Sequence, residues 1–313
     1  MPFTSTQSEG NDMMSNSIFR KCAQLAAPLA LFATLSAPAP AAAQGDLLVA
    51  PTRVILDGRR GTEVILSNIG SEEAVYRIGL ELRRMEPNGS LTPVEKIDAN
   101  EREDAALKMI RYAPRRITLP PGQPQAVRIA ARPGAELPDG EYRVHMSFKA
   151  IPKPQKVTEE TDSTAQGVSI KLIPIYGVTI PVIIRHGRLE AQVAINQPRV
   201  EMSDHGPQLV MELQRKGESS TYGELRVTKP GQNDPVYLVR GVAVYSELNM
   251  RELRLRLTPE QAAAMTGPLR FEYREMPDKG GDLIAAVDAV LSSATARAPV
   301  TVPAVGAAAS AAR

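Results

Sequence analysis

His145, His186 and His205 are the three histidines of the chain, and none has a second histidine or a cysteine at the spacing a metal ion requires. The sequence argues against a zinc centre, and His145, on the polar side of an alternating stretch, reads as a surface or hydrogen-bonded histidine. A Gly-x-Ser-x-Gly nucleophile elbow, a glycine-rich phosphate loop and a dinucleotide fingerprint are all absent from the sequence. That removes the commonest local signatures of hydrolases, kinases and dehydrogenases. The acidic pairs Glu72-Glu73 and Glu159-Glu160 stand in turn or loop sequence and read as solvated charges. Carboxylates paired only through space, as in a glycosidase, leave no spacing to read. With aromatic residues at 4% of the chain, however, little is available to grip a sugar. No catalytic residue, metal ligand or cofactor is expected, and the sequence reads as a binding protein rather than an enzyme.

The chemistry that remains is recognition. Residues 168–185 read Val-Ser-Ile-Lys-Leu-Ile-Pro-Ile-Tyr-Gly-Val-Thr-Ile-Pro-Val-Ile-Ile-Arg, longer and more apolar than an ordinary strand of a small sandwich. Pro174 and Pro181 each lack the N–H that an interior strand gives to its ladder, which points to a sheet edge. An uncovered apolar edge invites pairing, so soluble proteins cover or charge it unless a partner is meant to use it. The alternative reading is a central strand bent at its two prolines. On the edge reading, Leu172, Tyr176, Val178 and Ile180 project on one face toward an incoming chain and main-chain pairing supplies the rest. Each such side chain, once buried, contributes about 1.5 to 3 kcal/mol before ordering costs.

The elements around this stretch are mostly strands. Ala74, Tyr76, Ile78, Leu80 and Leu82 alternate with polar neighbours, as do Tyr142, Val144, Met146 and Phe148 against Glu141, Arg143, His145 and Lys149. The same period continues through Leu209, Met211 and Leu213, Leu253, Leu255 and Leu257, and Leu269, Phe271 and Tyr273. Strands with one dry face are stable when two sheets close as a sandwich, so an all-β fold is expected. Asn88-Gly89, Pro120-Pro121-Gly122 and Pro138-Asp139-Gly140 mark turns. Thr258 caps a predicted short helix with Pro259 at its first position. Residues 282–291 could form another helix, and residues 100–109 are left open between helix and loop.

With 313 residues, two domains of ordinary size are expected. Basic and acidic residues number 37 and 35, so nothing at whole-chain level calls for nucleic acid or an anionic membrane. The first 43 residues have the layout of a secretory signal: Arg20 and Lys21, an apolar stretch over residues 23–37, then Ala41-Ala42-Ala43 with cleavage expected after Ala43. That stretch is short for a span of roughly 20 residues and is broken by Pro28, so no membrane anchor is expected to remain after cleavage. Cys22, the single cysteine, would leave with the signal. The domains expected are residues 44–186 and 187–291, with a mobile loop over residues 152–166 in the first and a disordered Ala-rich tail over residues 292–313.

Taken in order, Ala50-Pro-Thr-Arg53-Val, Asn68-Ile-Gly70, Ile110-Arg-Tyr-Ala-Pro-Arg115, Leu119-Pro-Pro-Gly-Gln123, Gly140-Glu-Tyr-Arg143 and Ile180-Pro-Val-Ile-Ile-Arg185 are spaced so that the chain resembles the periplasmic pilus-assembly chaperones of the chaperone–usher pathway. The resemblance covers most of residues 47–281 and is looser in the second half. It implies two immunoglobulin-like β-sandwich domains set at an angle, with a cleft between them. It also implies a periplasmic location, pilus or fimbrial subunits and an outer-membrane usher as partners, and no cofactor. The last strand of the first domain would be lent to an incomplete subunit, here through Val168, Ile170, Leu172, Tyr176, Val178 and Ile180. Arg53 falls where the family clamps the subunit's terminal carboxylate, a task suited to a guanidinium fork. The lysine that usually assists it is replaced by Pro181, and Lys171 stands too far along the strand to substitute, at about 3.3 Å per residue. Glu141, Arg185 and Asp278 match an interdomain ion-pair set. An exported immunoglobulin-like protein of the cell envelope with a different partner is the alternative, and self-association of the free protein is left open.

Overall fold

The computed structural model describes residues 47–153 and 175–292, together with the backbone of residues 295–296. The first sandwich contains β1 (Leu47–Ala50), β2 (Val54–Leu56), β3 (Thr62–Asn68), β4 (Ala74–Met85) and β5 (Leu91–Val94), then helix α1 (Glu101–Met109). It continues with β6 (Ile110–Ala113), β7 (Arg116–Leu119), β8 (Pro124–Ala131), β9 (Gly140–Ile151) and β10 (Gly177–His186). One sheet runs β1-β3-β8-β6 and the other β2-β10-β9-β4-β5, with β7 also pairing β4. In chain order these are the A-B-E-D and G-F-C sheets of an immunoglobulin-like sandwich. The first strand divides between the sheets: β1 lies antiparallel to β3, and after Pro51 the chain crosses over so that β2 runs parallel to β10.

The alternation in the sequence decides which face is dry. Tyr76 and Ile78 of β4, Tyr142, Val144, Met146 and Phe148 of β9, and Ile180, Val182 and Ile184 of β10 meet Val64, Leu66, Val127 and Ile129 of the other sheet in one buried core. The second sandwich is built from β11 (Ala191–Ser203), β12 (Gly206–Gly217), β13 (Thr221–Thr228), β14 (Tyr237–Val244) and β15 (Met250–Arg256), then helix α2 (Pro259–Ala264), β16 (Gly267–Glu275), β17 (Leu283–Leu291) and β18 (Thr295–Ala296). Its sheets run β15-β12-β11-β18 and β14-β13-β16-β17. They close over Leu209, Met211, Leu213, Leu225, Val227, Phe271 and Tyr273.

Helix appears where the capping chemistry is complete. Asn100 and Glu103 form a reciprocal capping box at the start of α1, and Thr258 and Gln261 do the same for α2 behind Pro259. Residues 282–291, expected as a helix, instead form the strand β17, paired along β16 from Gly267↔Leu291 to Arg274↔Leu283. The three alanines in the stretch favour helix, but pairing with β16 outweighs local propensity. The tail expected to be disordered from residue 292 begins with β18, which pairs in parallel with Glu201 and Met202 of β11. The signal segment, most of the loop over residues 152–166 and the tail from residue 297 lie outside the described residues.

Candidate binding cleft between the sandwiches

Even-numbered residues of β9 and β10 fill the first core, so their odd-numbered neighbours form the opposite face of the same sheet. Register sets Glu141 across from Arg185, Arg143 across from Ile183 and His145 across from Pro181. As polar positions these read as solvent-facing, yet Glu141 and His145 are each only 1% exposed. Residues 219–222 and 245–247 of the second sandwich account for the difference, because they pack onto this face.

Glu141 is the centre of that contact. Its Oε2 accepts from the backbone N–H of Ser220 at 2.9 Å, from the Ser220 hydroxyl at 2.9 Å and from Arg185 Nε at 3.3 Å. Arg185 then donates through Nη2 to the Ser220 carbonyl at 3.0 Å. Glu141 and Arg185 belong to one sheet, so the link across the cleft runs through Ser220. Asp278, expected to share this network, is instead exposed and stands 3.9 Å from Lys279, its chain neighbour. It sits in a one-turn 3-10 helix (Pro277–Lys279) at the cleft rim, which keeps its short side chain in solvent. Among the described residues the ion pair that joins the two sandwiches is Arg143–Glu247, with Nη1 donating to Oε2 at 2.9 Å, and Glu247 also accepts from the Met85 N–H at 2.8 Å. Behind this wall Arg215 is buried and donates to the carbonyls of Gly217, Ser219, Ser246 and Leu248 at 2.7, 3.0, 2.9 and 3.0 Å. One guanidinium thereby holds both loops that face the first sandwich.

Arg53, at the crossover between β1 and β2, reaches into this cleft. Its guanidinium carbon lies 4.6 Å from the centroid of the Tyr222 ring and 5.6 Å from that of Tyr245, and Nη2 donates to Ser220 Oγ at 3.2 Å. Its Nε is buried and has no hydrogen-bond partner among the described residues. Burial pulls the Arg53 pKa below its ordinary value, while Tyr245 and Glu141 oppose that shift and Arg185 adds to it by repulsion. Arg53, Arg185, Ser220, Tyr222 and Lys279 line an open hollow of 790 Å³ between the sandwiches. A cation held against two aromatic faces, with a donor left over, is suited to an anionic ligand.

Below it His145 is sealed in, its ring 6.3 Å from that of Tyr245, and neither ring nitrogen has a hydrogen-bond partner among the described residues. It is therefore neither on the surface nor hydrogen-bonded, because the second sandwich covers the face of β9 that carries it. Desolvation, reinforced by Arg143 and Arg83, lowers its pKa to about 3, so the ring is neutral.

The strand β10 is interior at one end and edge at the other. Residues 182–184 lie between β9 and β2, whereas residues 177–181 pair with β9 alone. Pro181 is the last residue before the second partner begins, a place where its missing N–H costs no ladder bond on the open side. Along the dry face, exposure falls from 51% at Tyr176, through half-buried Val178, to 2% at Ile180. Ile180, expected to face an incoming chain, belongs to the first core, and Val178 packs against it. The reason is register: both point between the two sheets, where β3 and β8 already fill the space. Tyr176 and the 63%-exposed Ile175 remain uncovered. Val168, Ile170 and Leu172 lie outside the described residues.

Ser220, Tyr222, Tyr245, Glu247 and Arg215 were not singled out by the sequence. Their only signal is the small polar run Ser219-Ser220-Thr221 beside Tyr222, which reads equally well as a turn.

No protein-family model matches the chain, and no curated protein does. Among solved structures, the chain is similar to a chain of the CsuC–CsuE chaperone–tip adhesion subunit pre-assembly complex from the archaic chaperone–usher Csu pili of Acinetobacter baumannii, at 13% identity over 79% of this chain and 99% of that one, with a TM-score of 0.41. A chain of the Salmonella enterica SafA pilin in complex with the SafB chaperone is similar at 16% identity over 79% and 97%, TM-score 0.41. The class 5 fimbriae chaperone CfaA is similar at 10% identity over 79% and 99%, TM-score 0.39.

Proposed function

We propose that the chain is a periplasmic chaperone of the chaperone–usher pathway. Exported by its signal segment, it binds an incomplete pilus or fimbrial subunit, helps it fold by lending it the open edge of the strand that begins at residue 168 and is flanked only from residue 182, and passes it to an outer-membrane usher. It acts without a cofactor and catalyses no reaction. The observation that carries this reading is the open side of β10 at residues 177–181, which continues into exposed Tyr176 and Ile175. An extended segment of a partner can add there as a further strand, with main-chain bonds giving affinity and side-chain pockets giving selectivity. Covering Ile175 and Tyr176 would contribute roughly 1.5 to 3 kcal/mol each.

Arg53 supplies the second contact. Cradled by Tyr222 and Tyr245, with no described hydrogen bond at Nη1, it is suited to the C-terminal carboxylate of that subunit. Glu141, Ser220, Arg185 and the Arg143–Glu247 pair hold the cleft open at a fixed geometry. Co-expression with strand-deficient pilus subunits tests the reading. The intact chain should leave the column with a subunit bound, and Arg53→Ala should retain less of it while folding normally. Equal retention by a folded Arg53→Ala protein would remove the carboxylate role.

A further inference from the structure

Arg53 is not the only guanidinium with spare donors in the cleft. Arg185 lines the same 790 Å³ hollow, and both arginines converge on Ser220: Arg53 on its hydroxyl at 3.2 Å, Arg185 on its carbonyl at 3.0 Å. Among the described hydrogen bonds Arg185 uses Nε and Nη2, for Glu141 and Ser220, and none uses Nη1. Its side chain is 37% exposed, so that edge of the fork is open to the cleft. Glu141 lies beneath both arginines, fully buried, with Oε2 occupied by Ser220 and Arg185. Two guanidinium groups thus converge on one buried carboxylate and one serine. Glu275, Asp278 and Lys279 also line the hollow, but Asp278 and Lys279 stand beside each other at 3.9 Å, and Glu141 is the carboxylate that acts on Arg53.

We propose that Arg185 is the second cation of the carboxylate site: one oxygen of a peptide's C-terminal carboxylate is held by Arg53 and the other by the free Nη1 edge of Arg185, with Ser220 fixing the two forks relative to each other. This rests on the carboxylate reading of Arg53. It gives the cleft a second cation although Pro181 brings none to the strand, and it ties ligand binding to the contact between the sandwiches, since Arg185 and Ser220 serve both. A carboxylate offers one oxygen to each fork, and a neutral amide has no oxygen pair to bridge them.

The test uses the intact ¹⁵N-labelled chain titrated with N-acetyl-diglycine as the free acid or as its C-terminal amide, following the Arg53 and Arg185 side-chain Nε–H signals, assigned with Arg→Lys variants. The acid should move both signals and the amide neither, and Arg185→Gln should weaken the acid roughly tenfold, the loss that one charge-assisted hydrogen bond carries. If the acid moves only Arg53 and Arg185→Gln binds it as tightly as the parent, the second cation is refuted while the Arg53 clamp stands. If neither signal moves, the clamp itself is refuted and Arg185 with it. Because the parent protein's own Arg185 signal is read, the outcome does not depend on the variant folding.

Discussion

His145 offers a perturbation whose size can be worked out in advance. The ring is 1% exposed, neither nitrogen has a partner among the described residues, and Arg143, Arg83 and Arg53 act on it by repulsion while Glu81 opposes them, with the Tyr245 ring against its edge. Its pKa falls from 6.5 to about 3 on folding, chiefly through desolvation. Between those values the unfolded chain binds a proton that the folded chain refuses. The stability that His145 confers is therefore complete above about pH 6.5 and is lost as the pH falls toward 3. One proton corresponds to about 1.4 kcal/mol per pH unit once the unfolded ring is fully protonated, which integrates to about 2 kcal/mol between roughly pH 6.5 and 4.5. Glu81, Glu103, Glu201 and Glu272, whose pKa values are lowered by folding, begin to lose their contribution only at the lower end of that interval, and do so in parent and variant alike.

His145→Phe keeps an aromatic edge toward Tyr245 and gives up no hydrogen bond. Urea unfolding of the parent and the variant, run in parallel across that interval, should show the parent losing about 2 kcal/mol relative to the variant. A difference that stays constant with pH to within about 0.5 kcal/mol would mean that His145 is solvated or partnered in the folded protein, and the description of a sealed contact between the sandwiches would be wrong.

Two further substitutions probe the framework. Asn68 is buried and donates to the carbonyls of Glu72 and Leu119 at 2.7 and 2.9 Å while accepting from the Gly70 N–H at 3.0 Å; Asn68→Ala should cost about 2 to 3 kcal/mol in urea unfolding, and a loss below about 0.5 would show that water replaces these bonds. Arg215→Met should leave the carbonyls of Gly217, Ser219, Ser246 and Leu248 unpaired and speed hydrogen exchange at residues 219–222 by roughly tenfold or more, whereas unchanged exchange would show that the second sandwich's core positions those loops without it.

How far the sequence could be read depends on what kind of information each feature needs. Period-2 alternation is local, and it places Tyr142, Val144, Met146 and Phe148 in the core directly, since a strand offers only two faces. The same alternation labels Glu141, Arg143 and His145 as polar and stops there. A polar face turned to water and one turned to a polar partner have the same pattern, so the burial of Glu141 and His145 required knowing that Ser220 and Tyr245 arrive from residues far along the chain. Residues 168–185 show a related limit. Their length, apolarity and prolines gave an edge or a bent central strand as alternatives, and β10 combines the two, open at residues 177–181 and flanked at 182–184. Ile180 was assigned outward because its parity matches Tyr176, but parity fixes the face and not the depth. How far the opposite sheet extends decides where along that face burial begins. Residues 282–291 are compatible with a helix on their own, and only the ladder to β16 overrules it.

The open side of β10 is the centre of the account, and amide hydrogen exchange tests it most directly. With the chain alone and then in a purified complex with a strand-deficient pilus subunit, exchange should slow at residues 175–179 on the amides not already paired with β9, while β9 itself changes little. A stable complex in which those amides exchange as they do in the free chain, with protection appearing elsewhere, would contradict strand donation at this edge.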